Sequence, residues 1–368
     1  MIGIALGAKH ELTELFAIAD AGLGGAVRDD IALVIRTIVL LNGLSERLAP
    51  GERRLALELL AGAASAFRAA SGVARATTRP VSRGPRRVRS RMSAMPSFRT
   101  RGFAIHYEVH GDGPRTPLLL VMGMGGTCQG WLTVTVPDLV KAGRRIVIFD
   151  NRGAGQSEDP GGPFTTAEMA EDARALLDHL GVARAHVLGG FLGGMIAQEL
   201  AVTHPARVAS LILVGTYARA DAKRRMVLDL WKSMVELHVP AELRIKKRLV
   251  WTLGDATLEQ EDLIDAMWRF YLRDDAPMDD RVFVRQAEAC IAHDALERLG
   301  EIQAPTLVVC GEGDILTPPH MSRQLVSRIK GSRLVLLPNA GHLVAAELAP
   351  RFNRLVDRFL AEQERQRP

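Results

Sequence analysis

From Pro96 onward, short apolar runs alternate with stretches whose apolar positions recur every three or four residues. The runs fall at residues 103–109, 118–122, 145–149, 185–188, 211–214, 306–310 and 333–337. A run such as Leu118-Leu119-Leu120-Val121-Met122 has no polar face, and strands of that kind are buried on both sides. Strand and helix in alternation predict an α/β fold: a mostly parallel central sheet with helices on both faces. Residues 217–300 interrupt the alternation with a helical insert rich in Trp, Met and Arg. Placed after a central strand, this insert predicts a helical cap over the sheet's functional edge.

Upstream the pattern differs. Ile31, Val34, Ile35, Ile38 and Leu41 recur at helix spacing after Asp29 and Asp30, which can cap. Pro50 and Gly51 end that helix, and another runs over about residues 52–70. Residues 74–101 mix Arg, Pro, Ser, Thr and Gly without periodicity, which is linker composition. The predicted organisation is therefore a small helical N-terminal segment at 1–73, an Arg-rich linker at 74–101, and the α/β domain at 102–368 with its cap at 217–300.

Composition sharpens this division. The formal charge is +5, but residues 75–101 hold nine arginines and no acid, so the rest of the chain is net acidic. The basic stretch lacks interleaved aromatics and amphipathic spacing, so no nucleic-acid partner is expected. The longest apolar run, residues 31–41, is broken by Arg36 and is too short to span a bilayer. No basic start precedes the apolar residues 1–7, so no signal peptide is read and a cytoplasmic location is expected. Three scattered cysteines, Cys128, Cys290 and Cys310, argue against a disulfide framework and against a zinc site. No cofactor and no metal are expected.

The chemistry gathers in a few segments. Residues 185–201 pass from a strand through Gly189-Gly190-Phe191-Leu192-Gly193 into a helix. Glycine two before and two after the apex is the steric frame of a nucleophile elbow, which thrusts the apex side chain out above the sheet. Serine would stand at the apex of that pattern; here it is Phe191. Residues 121–126 read Val-Met-Gly-Met-Gly-Gly, residues 149–157 read Phe-Asp-Asn-Arg-Gly-Ala-Gly-Gln-Ser, Asp314 follows a strand in Gly311-Glu312-Gly313-Asp314, and His342 follows the last strand in Asn339-Ala340-Gly341-His342.

Five such segments in this order resemble the α/β-hydrolase superfamily over about residues 96–364, and most closely its capped esterases and lactonases. The resemblance implies that His342 is the general base, that Asp314 orients it, and that the backbone N–H groups of Met124 and Leu192 form an oxyanion hole. Met122 stands where many members carry histidine. Phe191 departs from the pattern decisively, since a phenyl ring has no lone pair to attack a carbonyl and no proton for His342 to remove. Three functions follow as expectations. One is a carboxylic ester or lactone hydrolase impaired by the loss of its serine. Another is a non-covalent His/Asp acid–base enzyme for cyclisation, elimination or proton abstraction. The last is a catalytically inactive protein that binds a small apolar ester, lactone or acid.

Other candidates weigh less. Thr127 and Cys128 follow the oxyanion loop but sit on no elbow. His106, Glu108 and His110 alternate on one strand and share a face, a spacing that suits a metal; a structural role is favoured, because the family's opening strand often carries such residues. Gly153-Ala154-Gly155 lacks the context of a phosphate loop. Trp231, Trp251, Met267 and Trp268 are expected in the cap core or at a pocket wall, and His204, His293 and His320 in loops or facing solvent. Residues 31–50 also resemble the tail of atypical kinase-like proteins linked to ubiquinone synthesis, which implies a docking module and no kinase activity.

Overall fold

Eight strands form one sheet in the order β1-β2-β4-β3-β5-β6-β7-β8. They are β1 (Ser97–Thr100), β2 (Phe103–His110), β3 (Leu118–Val121), β4 (Ile146–Phe149), β5 (Ala185–Gly190), β6 (Val208–Val214), β7 (Thr306–Gly311) and β8 (Arg333–Leu337). The first two pair antiparallel with each other, β2 pairs antiparallel with β4, and every later pairing is parallel. The structure, a computed structural model, describes residues 96–272 and 278–365. The helices expected within residues 1–73, and the linker as far as residue 95, lie outside them.

The parallel strands carry the apolar runs because each is covered twice. Every residue of β3, β4, β6 and β7 is buried. One core gathers Val121, Val187, Leu211 and Val308 against helices on one face; the other gathers Leu120, Ile148, Leu188 and Ile212 against Phe352, Val356 and Phe359. Strand β1 falls where the sequence predicts linker: Ser97–Thr100 pairs with β2 through the two-residue turn Arg101-Gly102. Both turn residues have positive φ, 46° and 94°, the twist that suits a tight hairpin. Arg101 is held there by an ion pair with the buried Asp172.

The insert between β6 and β7 is helical. Numbering all helices from α1 (Gln129–Val134), through α2 (Val136–Lys141), α3 (Thr166–His179) and α4 (Leu192–Thr203), the cap comprises α5 (Ala222–Glu236), α6 (Ala241–Thr252), α7 (Asp255–Leu258), α8 (Glu261–Leu272) and α9 (Asp280–Ala292). No helix among the described residues is long and apolar enough to cross a membrane. The carboxyl ends of β3, β5, β7 and β8 deliver residues 122–126, Phe191, Asp314 and His342 to one edge, where open α/β sheets gather their sites.

Candidate active site

The elbow keeps its strained form although its apex is phenylalanine. Phe191 has φ 47° and ψ −110° between β5 and α4, a backbone state costing of order 1–3 kcal/mol for such a residue. Its surroundings enforce that state. The Phe191 N–H donates to Val214 O at 3.0 Å, and its carbonyl accepts from Met195 N at 3.1 Å and from Thr216 Oγ1 at 2.8 Å. The flanking glycines explain the frame: a Cβ on Gly189 would lie 2.1 Å from Gly193 O, and one on Gly193 would lie 2.1 Å from Val121 O. Strand and helix approach so closely that no side chain fits.

The His342 ring meets the Asp314 carboxylate, Nδ1 to Oδ2 at 2.9 Å. Both side chains are buried. Thr317, not singled out in the sequence, completes the cluster. Its N–H donates to Asp314 Oδ1 and its hydroxyl to Oδ2, each at 2.7 Å, and Oγ1 lies 3.1 Å from His342 Nδ1. The hydroxyl proton being committed to Asp314, Nδ1 must carry the imidazole's proton. That leaves Nε2 as the ring's lone pair.

The ring of Phe191 packs edge-to-face on this imidazole, centroids 5.3 Å apart at 82°, and on Tyr217 at 5.9 Å and 78°. Only 6% of Phe191 is exposed, so the ring fills the space beside the histidine. A cleft of about 560 Å³ lies between the cap and the loop that precedes α3, lined by Val235, His238, Arg281 and Arg285 on the cap and by Asp159, Gly161 and Gly162 on the loop. None of the residues assembled at the elbow lines it, and the chemistry argues against it as the reaction site.

Around the expected oxyanion loop, neither the Met124 nor the Leu192 backbone N–H is engaged by another described group. The turn at Gly125 is gripped by the cap: its N–H donates to Gln286 Oε1 at 2.9 Å, Arg248 Nη1 donates to its carbonyl at 3.1 Å, and Phe283 lies against it. The histidine loop is tied down likewise. Glu347 accepts from Gly341 N at 2.9 Å, Gly254 N at 2.8 Å and Thr257 Oγ1 at 2.7 Å. Burial raises its carboxyl above the usual range although these donors oppose the shift.

The remaining motif residues are accounted for structurally. Asp150 accepts from Cys128 N at 2.7 Å and Gln156 N at 2.9 Å, while Arg152 pairs with the buried Asp172 at 2.6 Å. Burial and the neighbouring Asp150 push the Cys128 thiol far above its ordinary range, so it is no free thiolate nucleophile. Trp231 is cap core, with the Lys247 ammonium 3.8 Å above its ring. Burial and the adjacent Arg248 and Arg244 lower Lys247 to about 7. His293 follows α9 in a loop, as expected, but is buried: its Nδ1 lies 3.0 Å from Thr166 Oγ1, and burial pulls it to about 3.

Comparison with known proteins agrees with this fold. Residues 116–347 match the family described as alpha/beta hydrolase fold. A 2-hydroxy-6-oxononadienedioate/2-hydroxy-6-oxononatrienedioate hydrolase of Klebsiella pneumoniae is 30% identical, the match covering 71% of this chain and 92% of that protein. A hydrolase of Pseudomonas aeruginosa superposes with a TM-score of 0.66 at 30% identity, over 73% of this chain and all but 1% of its own, since 99% is covered. The enol-lactonase of Burkholderia xenovorans gives 0.66 at 28% identity over 72% of this chain and 100% of that one.

Proposed function

This chain belongs to the α/β-hydrolase family, and on that premise we propose that its site is of the carboxylic ester or lactone hydrolase type, closed to acyl-enzyme chemistry by Phe191. The observation that carries the reading is the elbow itself. Its backbone holds the positive φ of a nucleophile position, yet the side chain presented there is an apolar ring. His342 Nε2 is the base, Asp314 and Thr317 fix its tautomer, and the N–H groups of Met124 and Leu192 receive the oxyanion. Small apolar esters and lactones are the substrate class, in keeping with the enol-lactonase likeness. No covalent intermediate forms in the native chain. The test is turnover of activated short-chain esters and lactones by native protein and by Phe191→Ser. The variant should hydrolyse them and yield a trappable acyl-enzyme by mass spectrometry. An acyl-enzyme trapped on the native chain would overturn the proposal.

A second reading rests on the 2.9 Å His342–Asp314 contact, which survives without a serine. The pair can move a proton in an elimination or cyclisation with no nucleophile at all. Any native turnover should then vanish in His342→Ala; turnover indifferent to that change excludes the reading.

A further inference from the structure

Away from the elbow, four donor side chains converge at the foot of the oxyanion loop. His106, Glu108 and His110 occupy alternate positions of β2 and share a face. Cys128 precedes α1, directly after that loop. One ligand atom from each of His106, Glu108 and Cys128 lies within 4.8 Å of the others. His106 Nε2 is 3.2 Å from Glu108 Oε1, and His110 Nε2 is 2.9 Å from Glu108 Oε2. His106 and Cys128 are almost wholly buried, at 1% and 0% exposure.

The hydrogen bonds show how this cluster is oriented. The His106 ring bonds to the backbone carbonyl of Pro96, and since Nε2 faces Glu108, Nδ1 is the atom that makes that bond. A carbonyl only accepts, so Nδ1 faces it as the donor, and Nε2 is the ring atom turned to the Glu108 carboxylate. A cation can take the place of the proton that bridges the two atoms at 3.2 Å. A histidine whose far nitrogen is fixed by a carbonyl is also the usual arrangement of a metal ligand.

We propose that His106 Nε2, Glu108 Oε1 and Cys128 Sγ bind one divalent cation of the zinc class, with water in the fourth position. His110 is the positioning residue, holding Oε2 so that Oε1 turns inward. Gln129 Nε2, which donates to Oε1 at 2.8 Å, gives way on binding. The mixed nitrogen, oxygen and sulfur set suits zinc, whose bonds run about 2.0–2.3 Å. The His106–Glu108 separation of 3.2 Å already matches tetrahedral ligands, and Cys128 Sγ lies within 4.8 Å of both. The thiol proton leaves to solvent as the sulfur–metal bond forms, and thiolate plus carboxylate neutralise the dication. Bound there, the ion would brace β2 against the start of α1 and hence the oxyanion loop.

The experiment uses the full chain, stripped with a chelator and titrated with Co²⁺, then Zn²⁺. One equivalent of cobalt should bind, with a near-ultraviolet thiolate-to-cobalt charge-transfer band that zinc abolishes. Cys128→Ser should lose the band, and His110→Ala should weaken binding about ten- to a hundredfold. X-ray absorption on the native zinc-loaded chain gives a readout that needs no variant: one sulfur at about 2.3 Å with nitrogen and oxygen at about 2.0–2.1 Å. No uptake at 100-micromolar-scale (~0.1 mM) metal, a shell without sulfur, or a band that persists in Cys128→Ser overturns the proposal.

Discussion

At the scale of single residues, the His342–Asp314 pair is held by buried polar atoms that bond to one another. Thr317 shows how much this demands, because its hydroxyl is shared between the Asp314 carboxylate and the His342 ring. Thr317→Val keeps the shape and deletes the hydroxyl, leaving a buried carboxylate oxygen short of one donor. It should destabilise the fold by about 1–3 kcal/mol in chemical denaturation. A variant as stable as the parent would show that solvent reaches Asp314. In the sequence, the elbow was legible because Gly189 and Gly193 are dictated by backbone contact, and contact of that kind admits one residue type. Asp314 and His342 were legible through their places after strands. Thr317 and Glu347 were not, since a hydroxyl or carboxylate chosen for hydrogen bonds across the fold leaves no local spacing to read.

At the scale of elements, the sheet's apolar strands announced themselves, whereas β1 did not. Its four residues include two polar ones and an arginine, and its turn places Arg101 at positive φ, where a reader looks for asparagine or glycine. The cap was legible as helical, but its grip on Gly125 through Gln286 and Arg248 was not. Helix α6 brings a further consequence. Lys247 sits at about 7 in the folded chain against 10.5 in its ordinary state, because burial disfavours the ammonium. The unfolded chain therefore binds more protons between these values, and stability rises with pH from about 7 toward 10.5. Below pH 7 both states are protonated and this contribution is flat. Lys247→Met should flatten the rise in a denaturation series across that window and leave the protein more stable at pH 7. A slope unchanged by the substitution would assign it to other groups.

At the scale of the whole molecule, the cap and the sheet domain are joined at the site itself. Glu347 binds the histidine loop to Gly254 and Thr257 of the cap, and Gln286 and Arg248 bind the oxyanion loop to it. Opening the cap thus means breaking the contacts that shape both halves of the site, and the two should loosen together. The indole of Trp231 lies 3.8 Å beneath the Lys247 ammonium, inside that same cap. A charge that comes and goes over an aromatic face shifts the energy of its excited state, so the chain carries its own optical pH probe. Tryptophan emission should titrate near pH 7 in the native protein and lose that inflection in Lys247→Met. Where a ligand moves the cap, the same emission will report the motion without any added dye.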